Sequence, residues 1–364
     1  MRFDLMTPGL PLRRMQQLAR DAAATGFSGI VVTEGARTAY LPCAAAALAA
    51  DIDLLTGVAV AFPRSPMVTA QVAWELAEAS GGRFRLGLGT QVRAHVERRY
   101  GSPFDPPGPR MREYVGALRS IFASFRSGAP LAHDGDYWSL SLLPAMWSPG
   151  PIDVPDPPVD MAAVNPWMLR VAGELADGVH VHPLNTTTYL QETVLPNVEA
   201  GAARRDRTVR DLELIVPTFA APGSTTDEQQ QWWELARMQV AFYGSTPNYA
   251  FIFEQLGQPD TTARIRERQK AGDQAGMAAV IDDELLDHFC VSGDWAEVAD
   301  GLVARYGGVA TRLVSYFAGW AWAREPASLG PWGELARHVT ASAPTAPIAP
   351  TAPRDQGARS APGS

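Results

Sequence analysis

Cysteine is almost missing from this chain: Cys43 and Cys290 are the only two in 364 residues. Two cysteines give no disulfide framework, and lone cysteines in an α/β protein serve as small buried hydrophobes, so a reducing cytosol is the expected compartment. Basic residues are short as well. Lys and Arg number 31 against 39 Asp and Glu, giving a net charge of −8 and a pI near 5.3. That balance argues against a nucleic-acid footprint or an anionic membrane partner and leaves any phosphate grip local. No stretch reaches the ~18 unbroken apolar residues of a membrane span, and MRFDLMTPG has no apolar run behind a basic patch. A cytoplasmic, non-exported protein is therefore expected. A P-loop, a Ser-His-Asp order and paired carboxylates are also missing, which leaves kinase and hydrolase readings without support.

What is present is an apolar share of 46%, ample for a full core, and a regular alternation. Short β-rich runs at 3–5, 29–33, 53–60, 84–88, 159–163, 178–182, 212–217 and 312–316 are separated by helical patterns. Eight such alternations predict an α/β protein built as a closed TIM-like (β/α)8 barrel with insertions. Between them, Val68, Val72, Leu76 and Ala79 recur at helical spacing, and Gly81-Gly82 stops that helix. A single domain is expected over 1–340. Two segments exceed plain connections. An excursion at 129–158 holds a hairpin around Asp134-Gly135 and then a proline-dense run. A helical insertion at 225–287 carries Trp232, Trp233, Phe242, Tyr243, Tyr249, Phe251 and Phe253, an aromatic stripe that reads as core or subunit packing before a cofactor box. The Ala/Pro/Ser-rich run 341–364 reads as a disordered tail.

Chemistry-bearing residues gather at the strand ends, where such barrels place ligands. In TGVAVAFPRSP, from Thr56, small residues at Gly57, Val58 and Ala59 let a flat ring approach the backbone, though a tight barrel layer would use the same residues. GLGTQVRAHVERR, from Gly87, lacks the third glycine of a dinucleotide loop; it offers Gln91 and His95, with Arg98 and Arg99 read first as a solvated helix face. AAVNPWM places Ala163, Val164 and Asn165 before a helix start, where unpaired N–H groups cradle phosphate unless Asn165 simply caps the helix. VHVHPLN puts His180 and His182 on one strand face, followed by Asn185; without further ligands at a telling distance, no metal is expected. After the second strand, Glu34 reads as acid, base or anchor for Arg37, with Thr38 beside it.

GFSGIVVTE, the run from Gly57 to Gly101, AAVNPWMLRVAGELADGVHVHP, AFYGSTPNY and IDDELLDHFCVSGDWAEVADGL together resemble the bacterial luciferase-like monooxygenase superfamily, and most of all its actinobacterial branch dependent on the deazaflavin coenzyme F420. The resemblance implies a barrel in which a flavin or deazaflavin lies over a third-strand bulge that often holds a non-proline cis peptide. Carried over, that bulge falls on Gly57, Val58 and Ala59, a ring-contacting position on His95, the phosphate-binding turn on Ala163, Val164 and Asn165, and a further polar contact on Asn185. One departure stands out: relatives read His-Asp-Pro where this chain has Arg37-Thr38-Ala39, so the usual proton-handling pair is missing.

These readings converge on an oxidoreductase that uses reduced F420 to pass hydride to a C=C, C=N or C=O bond of a small organic substrate. Glu34, His95, His180 or His182 is then expected to supply the proton, with Arg37 and Thr38 in the substrate pocket. Two alternatives stand beside it: a reduced-FMN monooxygenase, and a non-catalytic flavin-binding barrel or partner subunit. A homo-oligomer is expected from the aromatic insert and the family.

Overall fold

The computed structural model describes residues 1–343. Eight parallel strands form the barrel: β1 (Arg2–Thr7), β2 (Gly29–Val32), β3 (Asp53–Thr56), β4 (Phe84–Gly89), β5 (Val159–Ala162), β6 (Gly178–His180), β7 (Glu213–Pro222) and β8 (Arg312–Ser315). Each pairs with its sequence neighbour, and β8 pairs with both β7 and β1, which closes the ring. With helices outside and packed side chains inside, the strands are buried on both faces and therefore read as near-continuous apolar runs. GIVV of β2 is buried throughout.

The exceptions lie at the strand starts. Arg312 and Asp4, both fully buried, meet inside the barrel floor: Nε donates to Asp4 Oδ2 at 2.7 Å, Nη2 to Asp4 Oδ1 at 2.8 Å, and Nη1 to Asp53 Oδ2 at 2.9 Å. Arg85 grips Asp160 the same way, at 2.9 and 2.6 Å. Burial pushes both aspartates upward from the usual carboxylate range while their arginines pull them back. Gly29 makes room for this network, because a Cβ there would lie 2.9 Å from Arg312 Nη2 and 3.0 Å from the Asp53 carbonyl. Conserving charge balance inside a dry floor is a demand of stability, and breaking one member leaves a buried charge unpaired.

Several boundaries differ from the sequence pattern. The third run is not one strand: β3 stops at Thr56, and Ala59–Val60 resumes pairing on Leu88 and Gly89 after a cis Gly57–Val58 peptide. β6 ends at His180, whereas β7 continues to Pro222. An unanticipated strand, Cys290–Gly293, pairs in parallel with Phe219–Pro222 at the rim. Residues 225–287 form the helices Thr226–Gly244, Ala250–Glu254, Thr261–Lys270, Gln274–Ala279 and Asp283–Asp287. In the excursion, His133–Asp134 pairs antiparallel with Ser139–Leu140. Gly81 and Gly82 take the positive φ angles expected of a helix stop. The last helix, Leu329–Ser342, extends two residues into the segment read as a tail; 344–364 lies outside the described residues. Among the described residues, no helix is long and apolar enough to cross a membrane.

Candidate active site

The C-terminal ends of β2 to β8 carry the candidate residues, opposite the charged floor. At the end of β3, Gly57 and Val58 are half-buried and Ala59 is buried. Of the two reasons read in the sequence for glycine here, the tight barrel layer is the one this packing supplies. A Cβ at Gly57 would fall within the van der Waals envelope of Val31 Cγ1, with His180 Cε1 3.5 Å away. Gly57 is small because it faces the packed barrel interior; what it turns to the mouth is backbone. Gly89 likewise accommodates Val58, whose Cγ2 would lie 2.6 Å from an added Cβ.

Glu34 follows β2 and is almost fully covered, its side chain 3% exposed. Its partner is Arg64, not Arg37. Arg64 Nη1 donates to Oε2 at 2.9 Å and Nη2 to Oε1, while the Val60 N–H donates to Oε2 at 2.8 Å. The carboxylate thus ties the loop after β2 to the backbone just beyond the break in β3. Arg37 is exposed; Thr38 Oγ1 accepts from the Tyr40 N–H at 3.3 Å. Arg99 donates to the Gly35 carbonyl, so it braces the same loop rather than lying on a free helix face.

His95 is exposed on the short helix Arg93–Arg98. Gln91 adopts a left-handed φ of 59° and folds its own Oε1 onto the Val92 N–H at 2.9 Å. After β5, Ala163 is buried and Val164 half-buried. The Tyr189 hydroxyl donates to the Val164 carbonyl at 2.7 Å. Asn165 caps the helix Pro166–Leu175, its Oδ1 accepting from Met168 N at 2.9 Å; Asn165, Pro166 and Trp167 are exposed.

The two histidines part ways. His180 is buried in the barrel interior, its Nε2 without a hydrogen bond and 4.0 Å from Asp160 Oδ2. Burial, with Arg85 and Arg312 nearby, pushes its pKa down to about 3. His182, two residues on, sits at the mouth and is partly exposed; its Nδ1 accepts from the Leu184 N–H at 3.0 Å. Burial of the ring also holds it at about 3. Both shifts favour the neutral ring at pH 7 and disfavour a titrating proton on either near neutrality. Asn185 is 2% exposed and spends its amide N–H groups on the carbonyls of His182, Pro183 and Pro217, leaving a buried Oδ1 with no partner.

Residues that sequence reasoning did not assign complete the mouth. Tyr249 and Tyr243, from the helical insertion, pack on His182 with ring centroids 4.2 and 4.8 Å away. The Tyr243 and Tyr316 hydroxyls lie 2.6 Å apart, and Tyr316 donates to Gln239 Oε1 at 3.2 Å. The available signal was the AFYGSTPNY segment, whose aromatics carry polar tips unusual for plain core. Among the described residues, no three His, Cys, Asp or Glu side chains gather as metal ligands do.

The luciferase-like monooxygenase family model matches residues 2–312, and the chain belongs to that family. Among its relatives, an uncharacterized protein of Mycobacterium tuberculosis is 37% identical over 308 residues, covering 83% of this chain and 91% of that protein. The 5,10-methylenetetrahydromethanopterin reductase of Archaeoglobus fulgidus is 28% identical over 304 residues, covering 80% and 86%. In fold, the chain is similar to the coenzyme F420-dependent tetrahydromethanopterin reductase of Methanopyrus kandleri, with a TM-score of 0.74 at 21% identity and coverage of 92% and 97%. Monooxygenases and reductases are both oxidoreductases, and family membership places this chain among them.

A flavin-type cofactor with a phosphate-bearing tail would fit these residues. The broken end of β3 presents backbone rather than side chains, and at the exposed start of the ten-residue helix after Asn165 the Trp167 N–H is left for an anion, since Pro166 has none and Met168 donates to Asn165 Oδ1. Asn185 Oδ1 is an orphaned acceptor, and the tricyclic ring edge of either flavin or deazaflavin carries an N–H able to meet one.

Proposed function

We infer that the chain is an oxidoreductase that takes reduced coenzyme F420 and delivers hydride to a C=C, C=N or C=O bond of a small organic substrate. The observation carrying this reading is the interruption of β3 at Gly57 and Val58, at the same end of the barrel as the helix start at Asn165 and His182. The reductase names of relatives similar over most of the chain support it.

When bound, the reduced deazaflavin supplies the hydride; the protein supplies binding, orientation and electrostatics. Gly57, Val58 and Ala59 form the floor under the ring. Ala163, Val164 and Asn165, with the helix start beyond them, receive the phosphate. Asn185 Oδ1 accepts from a ring N–H, and Gln91 and His95 stand at the rim beside the cofactor. Arg37 and Thr38 border the substrate side. Glu34, held by Arg64 and the Val60 N–H, braces the floor and carries no proton to substrate. His180 lies beneath the floor and fills the barrel interior, so His182 is the ring placed to meet the substrate's heteroatom.

The test is a titration of the purified protein with reduced F420 and with FMN, read by cofactor fluorescence and absorbance. Saturable F420 binding with reoxidation on adding an electron-poor alkene, imine or carbonyl compound supports the proposal. Tight FMN binding with oxygen consumption would replace it by the monooxygenase alternative, and no binding of either would leave only the non-catalytic barrel.

A further inference from the structure

We propose that His182 works as a neutral hydrogen-bond donor of fixed tautomer, presenting Nε2–H to the acceptor atom of the substrate, with Tyr243 and Tyr249 as positioning residues that hold its ring. This rests on the proposed oxidoreductase reading, but it stands on geometry present without any cofactor. A neutral imidazole has one N–H. Because Nδ1 accepts from the Leu184 backbone N–H at 3.0 Å, the proton must reside on Nε2. Nε2 makes no hydrogen bond to a described residue and is not among the sealed unpartnered atoms, and His182 as a residue is only half-buried, so that donor is available to a ligand.

The ring cannot swing freely. Tyr243 stands edge-on to it at 82° and Tyr249 packs against it at 45°, both contributed by the insertion between β7 and the rim strand Cys290–Gly293. Tyr243 is itself fixed through its hydroxyl to Tyr316 at 2.6 Å, and Tyr316 to Gln239 at 3.2 Å. The titratable groups that face His182 are thus phenols. Burial raises Tyr243, Tyr249 and Tyr316 above the usual range, so all three are uncharged, and no carboxylate or cation among the described residues pairs with the imidazole. Nothing nearby favours the imidazolium. A neutral imidazole is a poor proton source, because giving up Nε2–H would leave an imidazolate, but it is a competent polariser of a carbonyl or imine in a water-poor site. The insertion therefore does more than pack: it sets the protonation state and aim of the donor.

The experiment is a pH series of long-range 1H–15N correlation spectra on the isotope-labelled full chain, without cofactor, with His182 assigned by the His182→Gln variant. The expected result is a single Nε2–H tautomer that does not titrate between pH 8 and 5. In Tyr249→Ala the ring should titrate at least tenfold more readily, its midpoint moving up by one pH unit or more, while Tyr249→Phe restores the wild-type behaviour. Tyr243→Phe, which keeps the ring contact and removes only the hydroxyl pair, should leave the tautomer unchanged but broaden the His182 signals. A wild-type midpoint near the ordinary value of about 6.5, an Nδ1–H tautomer, or a Tyr249→Ala spectrum identical to wild type would each overturn the proposal. Should the protein turn over F420, His182→Ala is expected to lower kcat about a hundredfold, as loss of a transition-state donor does. F420 turnover with a titrating His182 would sink this inference alone. A fixed tautomer without cofactor binding would sink only the proposed function.

Discussion

Gly89→Ala probes the floor of the candidate site most directly. Its Cβ would lie 2.6 Å from Val58 Cγ2 and 3.5 Å from Ala162 Cβ, so the Val58 side chain must retreat by about 1 Å before the contact becomes ordinary. Val58 is stiff at χ1 and belongs to the break in β3, so the displacement passes to the backbone that is proposed to support the ring. Overpacking of this kind costs about 1–3 kcal/mol. For a chain of 364 residues, melting entropy scales so that each kcal/mol moves Tm by roughly 1–2 °C, and a drop of about 1–6 °C is expected. Val58→Ala removes the clashing methyl groups and alone should cost about 1 kcal/mol, since the residue is only half-buried. The double variant should then recover about 1–2 kcal/mol relative to the sum of the singles, because contacting residues couple. Calorimetry on the four proteins reads the cycle, and F420 fluorescence titration reads the floor. Strict additivity in Tm, or Gly89→Ala with undiminished cofactor affinity, would refute the claim that Gly89 seats the β3 break.

Three further expectations follow from the same geometry. Glu34→Ala should destabilise by about 1–3 kcal/mol by leaving the part-buried Arg64 and the Val60 N–H without their partner, whereas Glu34→Gln keeps an acceptor for the Val60 N–H and should lose less; equal abolition of turnover by both at full stability would instead mark Glu34 as a proton donor. Asn165→Asp preserves the helix cap but sets a negative charge where phosphate is proposed to bind, so stability should hold and F420 affinity fall; Asn165→Ala should cost about 1 kcal/mol of cap energy, and unchanged affinity in the Asp variant would move the phosphate site elsewhere. His180 is held at about 3 in the folded state, below its unfolded value, so the unfolded chain binds the extra proton. Its contribution is complete above about pH 6.5 and is lost as pH falls toward 3, at up to about 1.4 kcal/mol per pH unit; His180→Asn should flatten that part of the stability profile measured by urea unfolding.

The barrel was legible because each strand is a short run of β-formers closed by Gly, Pro or charge, a local property. The strand Cys290–Gly293 was not, since its four residues include two that are not buried and it makes sense only beside the extended β7. The strand pattern ran through the break in β3 from 53 to 60, whereas the family resemblance put a bulge on Gly57, Val58 and Ala59, where the cis Gly57–Val58 peptide stands. Glu34 was correctly singled out as a strand-end carboxylate, yet its partner lies 30 residues away at Arg64, and no spacing rule chooses between Arg37 and Arg64. The charged floor left a sign in the sequence: Asp4, Asp53, Arg85, Asp160 and Arg312 interrupt otherwise apolar runs, and their interior side follows from strand alternation. The meeting of His182 with Tyr243 and Tyr249 is a tertiary event across more than 60 residues, and the insert's aromatics could be seen but not aimed. The protonation of both histidines depends on burial, which composition does not reveal.

The chain leaves the barrel at Pro222 and comes back to its rim at Cys290, where the returning strand pairs in parallel with the end of β7, Phe219 with Cys290 through Pro222 with Gly293. Because the pairing is parallel, the exit at Pro222 lies three residues further along the ladder than the return at Cys290, so the two ends of the helical insert stand roughly 11 Å apart, three rises along and one inter-strand spacing across. An appendage rooted this way can vary at its outer helices, while its first helix stays fastened to the barrel rim through Tyr243 and Tyr316. In this architecture the part proposed to meet the substrate can drift through evolution with less effect on the strands proposed to carry the cofactor.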